Sequence, residues 1–277
     1  MLHAGCIERP WKSRAIQAGK PGQTLTEILT SPYFIAGVFF VVALAYSSVG
    51  LGGASSYTAL LAIAGFSAAA IPLISLTLNL LVTSIGSFNF IRRGHANFRL
   101  LAPFLIASVP MAYLGGMLQL PQEYFFLLLL VALLFAAARI YFWKDTGFRL
   151  GCGNTGRILV SVLAGSVLGL VAGVTGIGGG IFLVPLIIIL GLGTVKEAAA
   201  CGAIFVWLNS LSGLVSRLQY NAIDLLEYVP LMLAVILGGA LGSSLGSNRL
   251  SRNAMEKILG IIIVLAIVFL ARRLLIM

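Results

Sequence analysis

An all-α polytopic membrane fold is what this sequence predicts, and three observations predict it. Hydrophobic residues fill 60% of its 277 positions and charged residues only 9%. Soluble domains carry roughly 25% charged residues, so this chain cannot cover an ordinary water-facing surface. Apolar runs recur along almost its whole length, for instance at 34–45, 100–120, 124–142, 226–245 and 258–270. Several reach, with their flanks, the roughly 20 residues that cross a hydrocarbon core. Finally, two glycine clusters, each followed by a short apolar segment, stand at equivalent places in two halves of the chain. One large soluble domain is excluded, and so is a single anchor carrying a soluble head.

The net charge of +10 would point to nucleic acid in a soluble protein. Here Lys and Arg stand at the ends of apolar runs, where they set orientation and meet anionic lipid. No basic face with interleaved aromatics exists, so nucleic acid is not an expected partner. Cys6, Cys152 and Cys201 are too widely spaced for a zinc site or a disulfide framework. No cofactor is expected.

Residues 1–31 are polar and basic, with Arg9, Lys12, Arg14 and Lys20. A cleavable signal would follow its charged start with an apolar stretch, so this segment reads as a cytoplasmic tail. The first repeat, 32–143, begins with a helix over 32–48 that Gly50-Leu-Gly-Gly53 breaks. A short segment, 54–64, follows and ends at Gly65. Helices are then expected over 68–91, 98–119 and 122–143. A polar linker, 144–156, separates the halves. The second repeat, 157–277, runs through a helix at 157–174, a break at Gly176-Ile-Gly-Gly-Gly180, and a short segment to 190. Helices at 194–218, 222–247 and 252–275 complete it.

The halves align at a constant offset of 126. Gly50, Gly52, Gly53 and Gly65 fall on Gly176, Gly178, Gly179 and Gly191, and Leu60, Ile63, Ser84 and Ala96 also meet identical residues. Transporters commonly use such duplication and hold substrate where the repeats meet. The short segments, of about 11 residues and about 16 Å, cannot cross alone. Taken as continuations of the helices before them, they give four spans per half and parallel repeats; taken as separate passes they give five and inverted repeats. Arg92, Arg93 and Arg99 mark one cytoplasmic loop, and Lys144, Arg149 and Arg157 another. The basic tail favours about four spans per half, whereas Arg249, Arg252 and Lys257 favour five. Four is the expectation.

A helix break inside a bilayer is costly unless the freed backbone groups line a cavity or bind something. Both breaks here are glycine clusters, Ser47-Ser-Val-Gly-Leu-Gly-Gly-Ala-Ser-Ser56 and Gly173-Val-Thr-Gly-Ile-Gly-Gly-Gly180. Glycine lets a ligand approach the backbone closely. The segment after each break starts with free N–H groups at the positive end of its dipole, which suits an anion. The candidate binding residues are therefore Gly50, Gly52, Gly53, Gly176, Gly178, Gly179 and Gly180, with hydroxyls from Ser55, Ser56 and Thr175. This element would bind an anion without a buried lysine or arginine. The bland alternative is that the glycines only allow close helix packing; two matching clusters, each with a truncated segment, favour a site.

Gly176-Ile-Gly-Gly-Gly-Ile-Phe-Leu-Val-Pro-Leu186 resembles the glycine–proline signature of the TauE/SafE sulfite-exporter family, and Gly50-Leu-Gly-Gly53 resembles its first-half counterpart. The resemblance covers about residues 35–275. The first motif departs from it, with Ala54 where a third glycine would stand and Ala59 opposite Pro185. The resemblance implies secondary transport of sulfur-containing anions, such as sulfite or organosulfonates, across the bacterial inner membrane.

Polar residues recur on the helix after each short segment: Asn79, Thr83, Ser84 and Ser87, then Asn209, Ser210 and Ser212. They either bridge helices or line a polar route; Asn79, Thr83, Asn209 and Ser210 join the candidate site on the second reading. Arg92, Arg93 and His95, with Arg217 near the corresponding end of the other half, read first as positive-inside anchors and second as an anion-collecting mouth. Asp224 and Glu227 suit a helix start. Trp207, beside Asn209, is placed to border a cavity.

The leading function is secondary transport of a small anion, with room for a coupling proton or sodium ion and for a homo-oligomer in the bilayer. An intramembrane enzyme would need an acid, base or nucleophile positioned in mid-helix, and no Asp, Glu or His falls there. No Walker-type motif supports ATP-driven transport by this chain. The alternatives are transport of another small solute and a non-transporting assembly subunit.

Overall fold

The computed structural model describes residues 32–118, 154–220 and 225–246, with isolated pieces between 120 and 134 and between 264 and 272. Among the described residues the fold is all helical. The first half contributes α1 (Pro32–Ser47), α2 (Ala54–Ile63), α3 (Ala70–Arg92) and α4 (Phe98–Met117). The second contributes α5 (Asn154–Thr175), α6 (Gly180–Ile189), α7 (Val195–Leu218) and α8 (Val229–Gly246). α3, α4, α5 and α7 are each long and apolar enough to cross a membrane; α1, α2 and α8 are shorter apolar helices, and α6 is a 10-residue segment of apolar sequence. The basic tail 1–31, linker positions 144–153, Asp224 and most of the helices expected at 122–143 and 252–275 lie outside the described residues.

The expected short segments exist, and they match at the offset: α2 and α6 each have 10 residues, from Ala54 and Gly180 respectively. Gly53 and Gly179 precede them with φ of 86° and 78°, left-handed values that cost a side chain energy and cost glycine none. Both helices also end alike. Gly65 N–H donates to Ala62 O and Phe66 N–H to Leu61 O, as Gly191 and Leu192 N–H donate to Ile188 and Ile187 O. This paired pattern closes a helix on a glycine. α8 starts later than expected because Leu225–Tyr228 form a 3₁₀ turn, so Glu227 precedes the α-helix rather than opening it.

Close contacts fix the direction of each helix. On α5, added Cβ atoms at Gly165, Gly169 and Gly173 would strike the carbonyls of Phe104, Ser108 and Ala112 on α4, numbers that rise together. Gly238 and Gly242 of α8 abut Phe40 and Leu44 of α1 in the same sense. Small residues let these backbones touch, the usual way helices pack in lipid. α8 also runs with α3, where Gly239 meets Val82 and Asn89 bonds Ser243. α3 and α7 cross in the opposite sense: Leu73 packs with Leu214, Asn79 bonds Ser210, Ser84 bonds Trp207, and Phe90 packs with Ala200.

Since α1 and α8 run together and α8 runs with α3, α1 and α3 point the same way. The chain must therefore return between them, and α2 is that return. The expectation that α2 merely continues α1 in a four-span half is corrected here: the helices matched at the offset, α3 and α7, run antiparallel. The physical reason is Gly50, whose turn bends the chain back instead of letting it continue. Its N–H donates to Ser47 O while Leu51 N–H reaches Tyr46 O, the same closing pattern.

A candidate anion site where two broken helices meet

α2 starts beside the second turn of α3, with Gly52 just before it against Asn79 and Thr83, and α6 starts halfway along α7. Ser75 on α3 donates to Ala54 O at 3.2 Å, and Gly180 faces Val206 near the middle of α7. From there α2 runs back toward the start of α3, and α6 toward the start of α7. Because α3 and α7 are antiparallel, the two short helices leave in opposite directions and present their N-termini to the same central level. Neither has a side-chain cap. Gly53 O first accepts from Ser56 and Tyr57 N–H, and Gly179 O from Phe182 and Leu183 N–H. The N–H groups of Ala54, Ser55, Gly180 and Ile181 precede those bonds and have no acceptor within their own helix.

Asn79 joins the two breaks. An added Cβ on Gly52 would collide with Asn79 Oδ1, and one on Gly178 would lie 2.5 Å from Asn79 Nδ2 and 3.0 Å from Ser210 Oγ. Nδ2 donates to Ser210 Oγ at 2.8 Å, so this side chain also bridges α3 to α7. Its Oδ1 is buried and unpartnered among the described residues, as is Oδ1 of Asn209. Ser75 makes a second tie, donating to Gly176 O (3.3 Å) as well as Ala54 O.

Other expected donors are engaged elsewhere. The hydroxyls of Ser55 and Ser56 lie 2.9 and 2.8 Å from that of Tyr46, fastening α2 to α1. Thr83 Oγ1 donates to Asn79 O, Thr175 Oγ1 to Val171 O, and Asn209 Nδ2 to Phe205 O. Gly50 lies against the Ala199 backbone and Gly176 against Pro72; Gly179 faces Phe205 and Ala172, and Gly180 faces Val206 and Leu51. Gly52, Gly178, Asn79 and Ser210 come together at the centre, while the remaining hydroxyls shape the turns around it. Trp207 donates to Ser84, which ties it to α3.

Two residues passed over in the sequence, Tyr57 and Ser75, stand out, and Arg217 differs from its expected role. Tyr57 is fully buried, its hydroxyl has no partner among the described residues, and its ring covers Gly53. The legible signal was its position four residues after a glycine, since helical side chains lean over the preceding turn. Ser75 ties both breaks, and nothing in its spacing marked it. Arg217 corrects two expectations, for it is neither an exposed anchor nor part of a mouth. It is 5% exposed and donates from Nη2 to Gly173 O (2.9 Å) and Val174 O (2.7 Å) and from Nε to Gly173 O. A buried cation therefore exists. It is stabilised because α4, α5 and α7 run parallel and bring the negative ends of three dipoles together beside it. The exposed Arg92, Arg93, Arg99, Arg157 and Lys196 all lie at the opposite end of the bundle.

A family model described as sulfite exporter TauE/SafE matches residues 35–270. The probable membrane transporter protein y4hK of Sinorhizobium fredii is 34% identical over 236 residues, covering 84% of this chain and 95% of that one. The probable membrane transporter protein YunE of Bacillus subtilis is 28% identical over 106 residues, 38% of each chain. No solved structure matches significantly.

Proposed function

The chain belongs to the sulfite exporter TauE/SafE family of multi-pass membrane transporters, and from that premise we propose that it is a secondary transporter of small oxyanions. Sulfite and small organosulfonates are the substrate class, and the bacterial inner membrane is the setting. The substrate sits where the starts of α2 and α6 meet across Asn79. The observation that carries this reading is the convergence of two uncapped helix N-termini on one buried level. There, free N–H groups and two positive dipole ends replace the hydration an anion loses. No desolvated cationic side chain is required at that level, which avoids the expense of holding one in the bilayer. The opposed directions of α2 and α6 give the two faces of the membrane equivalent approaches, as alternating access asks.

A thermal-shift screen of the purified protein against small anions tests this, with neutral and cationic analogues of similar size as controls. Sulfite or a short alkylsulfonate should raise the melting temperature in a saturable way, since a ligand that binds only the folded state stabilises it. Equal shifts from the neutral analogues, or none from any anion, would remove the reading.

A further inference from the structure

The two breaks differ in their surroundings although Gly50 and Gly176, like Gly53 and Gly179, share a positive φ. At the second break Gly178 shares the Asn79 and Ser210 side chains with the first, but the two glycines that open α6 face apolar side chains: Val206 and Leu51 at Gly180, Phe205 and Ala172 at Gly179. Around the first they are polar. The Tyr57 hydroxyl lies 2.9 Å from where a Cβ of Gly53 would stand, and Asn79 Oδ1 lies against Gly52. Both polar atoms are buried and unpartnered among the described residues. The positions matching Tyr57 and Asn79 at the offset are Leu183 and Phe205; Asn209, one helical turn beyond Phe205, also has a buried unpartnered Oδ1 among the described residues, so Tyr57 is the feature the second half lacks.

We propose that the oxyanion head binds at the first break, with the Tyr57 hydroxyl as a direct hydrogen-bond donor beside the N–H groups of Ala54 and Ser55, and that the second break closes the site by packing. This rests on the anion-transport reading and deepens it. A buried hydroxyl without a partner is destabilising, and phenylalanine would keep the ring in its stack with Phe39 (5.0 Å between centroids) without that cost. A tyrosine aimed at an uncapped helix start has a use once an oxyanion arrives there. Asn79 Oδ1, an acceptor at the same place, favours ligands that bring a donor of their own, such as a protonated oxyanion or an aminosulfonate.

The test is a sulfite titration of purified wild-type protein and Tyr57→Phe, followed by melting temperature, with Tyr113→Phe on α4, whose hydroxyl pairs with Gln219 away from the breaks, as the control. Wild type should bind saturably. Tyr57→Phe should melt no lower than wild type without ligand and bind sulfite about tenfold or more weakly, tenfold corresponding to about 1.4 kcal/mol. Tyr113→Phe should keep an affinity within about threefold of wild type. If Tyr57→Phe binds as wild type does, or melts lower because its hydroxyl supports the fold, the assignment of Tyr57 is overturned while anion binding stands. If wild type itself responds to no anion, the transport reading fails and takes this proposal with it.

Discussion

Glycines that look alike in the sequence do different work, and the atoms facing them show which. Gly165, Gly169 and Gly173 face backbone carbonyls of α4, which cannot step aside. Gly52 faces the amide of Asn79, a side chain that can rotate. Gly169→Ala should therefore cost on the order of 1–3 kcal/mol, the usual range for overpacking, and reduce the yield of folded protein. Gly52→Ala should fold but displace Asn79, so sulfite should no longer raise its melting temperature; size-exclusion profiles and thermal shifts on both variants check this. The glycine pattern at positions 50–53 and 176–180 was legible because polar breaks in apolar helices are conspicuous. The neighbours of each glycine were not, since they come from other helices, and neither was the buried state of Arg217. Its sequence context, the end of an apolar helix, matches that of an ordinary membrane anchor. Arg217→Met should lower stability by at least the roughly 1.5–3 kcal/mol of a charged hydrogen bond, with little dependence on salt, because the guanidinium serves the end of α5 in a shielded place.

At the scale of elements, helix existence was readable and helix direction was not. Lengths and apolar runs placed α2 at 54–64, and it spans Ala54–Ile63. Whether such a segment continues the preceding helix or reverses it depends on a single glycine turn, and charge at the loops agreed with both. The antiparallel crossing of α3 and α7 is testable by cross-linking in a background lacking native cysteines. A cysteine pair replacing Leu73 and Leu214, which share one packing cluster, should cross-link readily. Leu73 paired with Ala200 should not, because Ala200 packs with Phe90 near the far end of α3. Efficient cross-linking of the second pair alone would restore a parallel arrangement.

For the whole molecule, charge and site are separated. The exposed Arg92, Arg93, Arg99, Arg157 and Lys196 gather at one end, the end that the positive-inside rule predicts to face the cytoplasm. The candidate site lies between the ends, about half the length of α3 away. Charge at the rim should act by attraction over distance and weaken with salt, whereas contacts at the breaks should not. Flux of sulfite in proteoliposomes, measured at two ionic strengths for wild type, Arg92→Gln and Gly52→Ala at equal reconstitution, tests that division and the transport claim together. The account predicts saturable flux for wild type, a deficit for Arg92→Gln that shrinks as salt rises, and no flux for Gly52→Ala at either salt. Flux through Gly52→Ala equal to wild type, or an Arg92→Gln variant dead at both ionic strengths, would contradict it.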